Sequence, residues 1–344
     1  MGCDQGEPKL EPALAPPLHI VAIYPPPNAG LDCPPAEDGG VTDCGVPRNA
    51  IFELRFDRYL APATAIRQSI RVFAGTPDTS VFFQPQYDVI ERVVSFVPTA
   101  PMAANLLHTL EIVTKRDGGS DGFRSFDGAD LEEEGSVPLR FNFRTSATSE
   151  TRPETPAPSC QSILDDVFGT RSCARGSCHS PIGQADCPAG YAREPFEPGS
   201  PCVGVPRMGL DLSGAPGLVT TAINRVAHQS EIGPQGGRYL ENPARFGVQM
   251  PLIEPGNPGN SYLLYKLLMR PQNYAGIGSS DVCVTDHRVP LPDGQCLPPS
   301  EAEMNRVRDW FLRGQPMPLR ADLPMNRPML VDLQRWIAAG AHCP

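Results

Sequence analysis

Lysine is almost missing from this 344-residue chain. Only Lys9, Lys115 and Lys266 occur, and arginine supplies nearly all the positive charge. With 39 acidic residues against 29 basic ones, the formal net charge is −10. That sign argues against nucleic acid and against adsorption to anionic lipid. Aromatic residues are sparse at 7%, although a hydrophobic content of 40% suffices for ordinary cores. No run of 18 apolar residues exists, so no transmembrane segment is predicted. His19, His108, His228 and His342 form no Ser/His/Asp or Cys/His arrangement, and no phosphate-binding Gly loop is present in the sequence. These absences favour an electron carrier or a binding protein over an enzyme.

What is abundant is Pro (41), Gly (32) and Cys (11). Pro and Gly at this level predict short elements and long loops. Three pairs of cysteines lie a short loop apart in Pro/Gly-rich sequence: Cys33/Cys44, Cys187/Cys202 and Cys283/Cys296. A crosslink there can replace a core, and each closure stabilises by roughly 2–4 kcal/mol. So many cysteines point to an oxidising, exported location, periplasmic or at the cell surface.

Residues 18–146 carry strand patterns. His19–Tyr24 is an apolar run ended by Pro25, Pro26 and Pro27. In 50–56, Phe52, Leu54 and Phe56 alternate with Glu53 and Arg55, which predicts an apolar inner face and a charged outer one. Segments 70–73, 81–87, 93–97 and 110–113 follow. In 139–144, Leu139, Phe141 and Phe143 alternate with Arg140 and Asn142. Seven short strands with turns between them predict an antiparallel sandwich. Residues 147–158 lack apolar periodicity and read as a Pro/Thr-rich linker.

From Cys160 the period becomes helical. Ile163, Leu164, Val167 and Phe168 form a stripe ended at Gly169. Further helices are predicted over about 218–226, from Asn260 as N-cap, over 300–311 with Ser300 and Glu303 as a capping box, and over about 329–339. Trp310…Gly314 and Trp336…Gly340 share a spacing that reads as two helix ends stopped by Gly.

Behind the first stripe stands Cys173-Ala-Arg-Gly-Ser-Cys178-His179. Covalent haem attachment needs this order, because two thiols add to the haem vinyl groups and the adjacent imidazole ligates the iron. The usual spacing leaves two residues between the cysteines, and here there are four. Three chemistries therefore stay open for these residues: covalent haem c, a Cys173–Cys178 disulfide in a haem-free protein, and zinc.

Two resemblances add to this reading. "IVAIYPPPNAG", "FELRFDRYLAP" and "LRFNFRT" resemble the bacterial Ig-like domains of surface proteins, over about 18–146. "GLDLSGAPG", "IEPGNPGNSYLLYKLL", "EAEMNRVRDWF" and "LQRWIAAGA", together with the Cys…Cys-His motif, are similar to the cytochrome c-like domains of planctomycete and myxobacterial secreted proteins. The resemblances imply an N-terminal all-β Ig-like sandwich and a C-terminal, mainly α cytochrome c-like domain over 159–344 with long disulfide-pinned loops. They imply one covalent haem c, with Cys173 and Cys178 as anchors and His179 as proximal ligand, passing electrons to an unidentified partner protein.

The family's distal Met-Pro is replaced here by Val289-Pro290 in His287-Arg288-Val289-Pro290. Met250, His287 or no residue is left for the distal position. An iron without one is five-coordinate and open to small ligands. The family's first and last helices pack across each other, which implies a Cys160–Cys343 bond. Finally, Gly2-Cys3 followed by a polar stretch to Pro17 is similar to the cleavage site of bacterial lipoproteins. It implies a lipid on Cys3 and a tether over 1–17, against the alternative of an incidental cysteine.

Overall fold

The computed structural model describes residues 15–33, 43–114, 122–133, 137–152, 155–169, 210–227, 250–268, 287–289 and 299–344, the last without 311–324. The chain divides into two compact units. One holds Leu10–Thr155 and Gly276–Met304, and the other holds Pro156–Ala275 and Asn305–Pro344 with Met1–Lys9.

The first is a β unit of seven strands: β1 Ile20–Tyr24, β2 Phe52–Phe56, β3 Ile70–Ala74, β4 Gln86–Asp88, β5 Val93–Phe96, β6 Leu107–Ile112 and β7 Arg140–Arg144. They form two sheets, ordered β1-β2-β5-β4 and β3-β6-β7. All the pairings are antiparallel. The period-two alternation sorts side chains to two faces, so Phe52, Leu54 and Phe56 meet an apolar interior. All three are fully buried. Phe52 stacks on its register partner Phe96, with ring centroids 4.9 Å apart. Phe52 also meets Phe143 of the other sheet edge-on at 5.4 Å, which locks the sheets face to face.

The free edge of β7 is not left as a template for aggregation. Asn28 N–H donates to Asn142 O (2.9 Å), Arg144 N–H to Ala29 O (2.9 Å) and Val46 N–H to Arg144 O (2.8 Å). The disulfide Cys33–Cys44, spanning 11 residues, closes the loop that supplies this cover. The approach is close enough to require glycine. A Cβ on Gly30, at φ +73°, would lie 2.8 Å from Arg144 O, and one on Gly45 would lie 2.5 Å from Ser146 N.

The other unit corrects the expectation of a mainly α cytochrome c-like domain. Gly276–Met304 is built into the β unit. The described helices are short: α1 Cys160–Ser162, α2 Ala215–Thr221, α3 Tyr262–Leu268, α4 Glu301–Trp310 and α5 Arg327–Ala338. The longest has 12 residues. α1 runs directly into a five-residue π turn, Ile163–Val167. Among the described residues between α2 and α3, the chain forms the bridges Ile223↔Ile253 and Val226↔Pro251. The physical reason is the spacing of Pro and Gly. Gly169 ends the first apolar stripe after about two turns, whereas α5, with no Gly inside it, runs for 12 residues before its Gly340 stop.

Local signals fare unevenly. α5 ends as predicted at Gly340 (φ +100°). Gly340 N–H donates to Ile337 O and Ala341 N–H to Trp336 O, which is the 5→2 and 6→1 pattern of a Schellman cap. The matching stop at Gly314 lies outside the described residues. Asn260 does not cap α3. Its amide donates to Glu254 Oε2 at 2.6 Å, and Ser261 is the residue directly before the helix. Cys160 is bonded to Cys343 across a sequence separation of 183, and α5 packs against the π turn. The bond implied by the resemblance forms, although the fold that implied it does not. Cys3, Cys187/Cys202 and Cys283/Cys296 lie outside the described residues. Among the described residues no helix is long and apolar enough to cross a membrane.

Candidate functional site

Cys173, Cys178 and His179 lie outside the described residues. Met250 is described and buried. Its carbonyl accepts from Ala227 N–H at 3.0 Å, beside the Val226↔Pro251 bridge. Among the described residues, no group of three or more His, Cys, Asp and Glu is placed to hold a metal ion.

His287 stands in the β unit, on the outer face of the four-stranded sheet. Glu53 and Arg55 of β2 point to that face because they alternate with the inward Phe and Leu. Alternation predicted solvent there, yet both side chains are buried. The cover over Glu53 comes from residues 287–289, more than 230 positions along the chain. His287 Nδ1 donates to Glu53 Oε1 at 3.0 Å, and Nε2 donates to Asp88 Oδ2 at 2.8 Å. Glu53 Oε2 accepts from two backbone amides, Arg288 N–H at 2.6 Å and Val289 N–H at 2.7 Å. Val289 fills a small apolar cluster with Ala22, Val93 and Tyr24. Arg288 lies over the Tyr24 ring and pairs with Glu150 Oε2 at 2.5 Å.

Both ring nitrogens of His287 therefore face carboxylates, and each needs a proton to do so. Burial alone would push the imidazole down. The hydrogen bonds to Asp88 and Glu53 outweigh it and raise the pKa to about 9. An imidazolium so held has no lone pair to offer a metal.

Beside it, Arg55 Nη1 donates to Glu91 Oε2 at 2.9 Å and to Glu91 O at 3.2 Å. Burial, with Arg92 adding to it, lowers the Arg55 pKa to about 10. Three cations (His287, Arg55, Arg92) thus share this face with three carboxylates (Glu53, Asp88, Glu91).

A second buried ionic knot holds the start of α4. Arg58 Nε donates to Glu303 Oε2 at 3.0 Å and Nη2 to Asp127 Oδ2 at 2.5 Å, while Nη1 reaches Pro16 O. Tyr59 N–H donates to Glu303 Oε1 at 3.0 Å. Only half of the predicted capping box forms. Ser300 Oγ accepts from Glu303 N–H at 3.1 Å, but the Glu303 carboxylate is spent on Arg58 and Tyr59.

None of these roles carried a local signal. Glu53 and Arg55 have the sequence pattern of a solvated strand face, and His287 was singled out only as an iron ligand. A charged pair inside an apolar strand is the one hint, and it is equally the mark of an exposed sheet.

No family model matches the chain, and no curated protein matches it. Solved structures give faint likenesses. The N-terminal part of the bacterial S-layer protein SbsC is 10% identical over 42% of this chain and 26% of its own, at TM-score 0.25. The chain thus spans about a quarter of that structure. CopC from Methylosinus trichosporium OB3b is 13% identical over 39% of this chain and 99% of its own, at TM-score 0.24. L,D-transpeptidase from Mycobacterium smegmatis is 15% identical over 32% and 40%, at TM-score 0.20. At these scores the likenesses carry no argument about function. The two disulfides fit an exported protein independently of them.

Proposed function

We propose that this is an exported electron-transfer protein that carries one covalent haem c on Cys173 and Cys178, with His179 as the proximal ligand. The observation that carries the reading is the Cys…Cys-His order itself. The disulfides support it, because Cys33, Cys44, Cys160 and Cys343 are committed to each other and none competes for the motif. When bound, the haem supplies one-electron redox chemistry. The chain's own part is to ligate, bury and exclude water. In this reading Met250, which is buried, is the distal ligand. The β unit serves as spacer or docking module toward an unidentified redox partner protein. A lipid on Cys3 is the finer element of localisation in this reading.

The commitment of His287 and the four-residue gap between the cysteines favour one second reading, a haem-free surface interaction protein with a Cys173–Cys178 disulfide. Protein purified after export in a haem-maturing host decides between them. The haem reading expects a thioether-type spectrum and the mass of one haem added covalently. His179→Ala should keep the mass and change the spectrum. A colourless protein of unmodified mass overturns the haem reading and leaves the second.

A further inference from the structure

We propose that His287-Arg288-Val289 is a proton-dependent strap, latched onto the outer face of the four-stranded sheet and let go when His287 loses its proton. The geometry is that of a bound peptide. One carboxylate, Glu53, takes three donors: the imidazole and two successive backbone amides. Asp88 takes the other ring nitrogen. Val289 is the apolar foot, seated with Ala22, Val93 and Tyr24.

The hold on Glu53 and Asp88 depends on an imidazolium. The charged groups placed around His287 are Glu53 and Arg55 on β2, Asp88 on β4, Glu91 and Arg92 in the β4–β5 turn, and Arg288 with Glu150 beside it. Deprotonation removes one positive charge from this buried cluster. It also leaves at least one carboxylate facing a ring nitrogen lone pair. Both effects push the strap off.

The direction with pH follows from the raised pKa. His287 titrates near its ordinary 6.5 when released and near 9 when docked. The proton's contribution to docking is therefore complete below about 6.5, declines above it and is gone beyond about 9. A shift of this size corresponds to a preference on the order of a hundredfold for the docked strap.

Amide exchange of the full-length protein from pH 6 to pH 11, corrected for intrinsic rates, tests the latch. The Arg288 and Val289 amides should be protected at pH 6. Their protection should fall on the order of a hundredfold by pH 10, while Val94 and Leu110 in the strands stay protected. His287→Gln should show the low value at every pH. Unprotected Arg288 and Val289 amides at pH 6 would overturn the proposal, and so would protection in His287→Gln equal to that of the parent. If His287→Gln also exposes Val94 and Leu110, it has unfolded the unit. The decision then rests on the imidazole of the unaltered protein, whose titration by nuclear magnetic resonance near 6.5 instead of near 9 would equally overturn it.

Discussion

The two faces of β2 are built on opposite principles. Toward the interior, Phe52, Leu54 and Phe56 bury apolar surface, which needs only shape and volume. Toward the outside, Glu53 and Arg55 are just as inaccessible, but they tolerate burial only because each meets a specific partner: His287 with two amides, and Glu91. An apolar face is satisfied by any close-packed neighbour, whereas a charged one is satisfied by a handful of atoms in fixed places. The inner face is thus robust in kind and sensitive in degree. The outer face fails whenever one partner is removed.

Substitutions can separate these principles. Because Trp310 and Trp336 lie outside the strands, stability of the β unit is best read from exchange of strand amides in denaturant. Phe52→Ala should have the largest effect. It removes a fully buried ring that bridges both sheets, at a cost of about 3–5 kcal/mol. Glu53→Ala should follow at about 3 kcal/mol, since it strands His287, Arg288 N–H and Val289 N–H together. A cost under about 1 kcal/mol there would mean that water replaces the carboxylate and that the outer face is not truly dry. The smallest effect is expected at the half-exposed pair of Arg71 with Glu111, 3.3 Å apart across β3 and β6. Arg71→Ala should cost no more than about 0.5 kcal/mol, and that little should vanish in high salt.

A second contrast concerns how far each unit could be read in advance. In the β unit, the strands fall within a few residues of the alternating segments, because a period of two over five residues already fixes which side chains face inward. In the other unit, the apolar stripes of 160–168 and 260–268 were visible, but their extent was not. α1 stops after three residues and passes into a π turn. The extended partners at 223–226 and 250–253 gave no periodic signal, since bridges as short as Ile223↔Ile253 leave no pattern to detect. For the candidate site the asymmetry is sharper. The Cys…Cys-His order was legible, whereas the assignment of His287 as a possible iron ligand missed the two carboxylates that claim it.

What the amino-acid order determined by itself was local: strand periodicity, the Gly340 helix stop, and the short Cys33–Cys44 closure, whose partners are only 11 residues apart. Tertiary structure alone decided which charges became internal. Glu53 and His287 lie 234 residues apart in the chain. A buried ion is tolerated only beside its counter-ion, and that proximity is created by the fold as a whole.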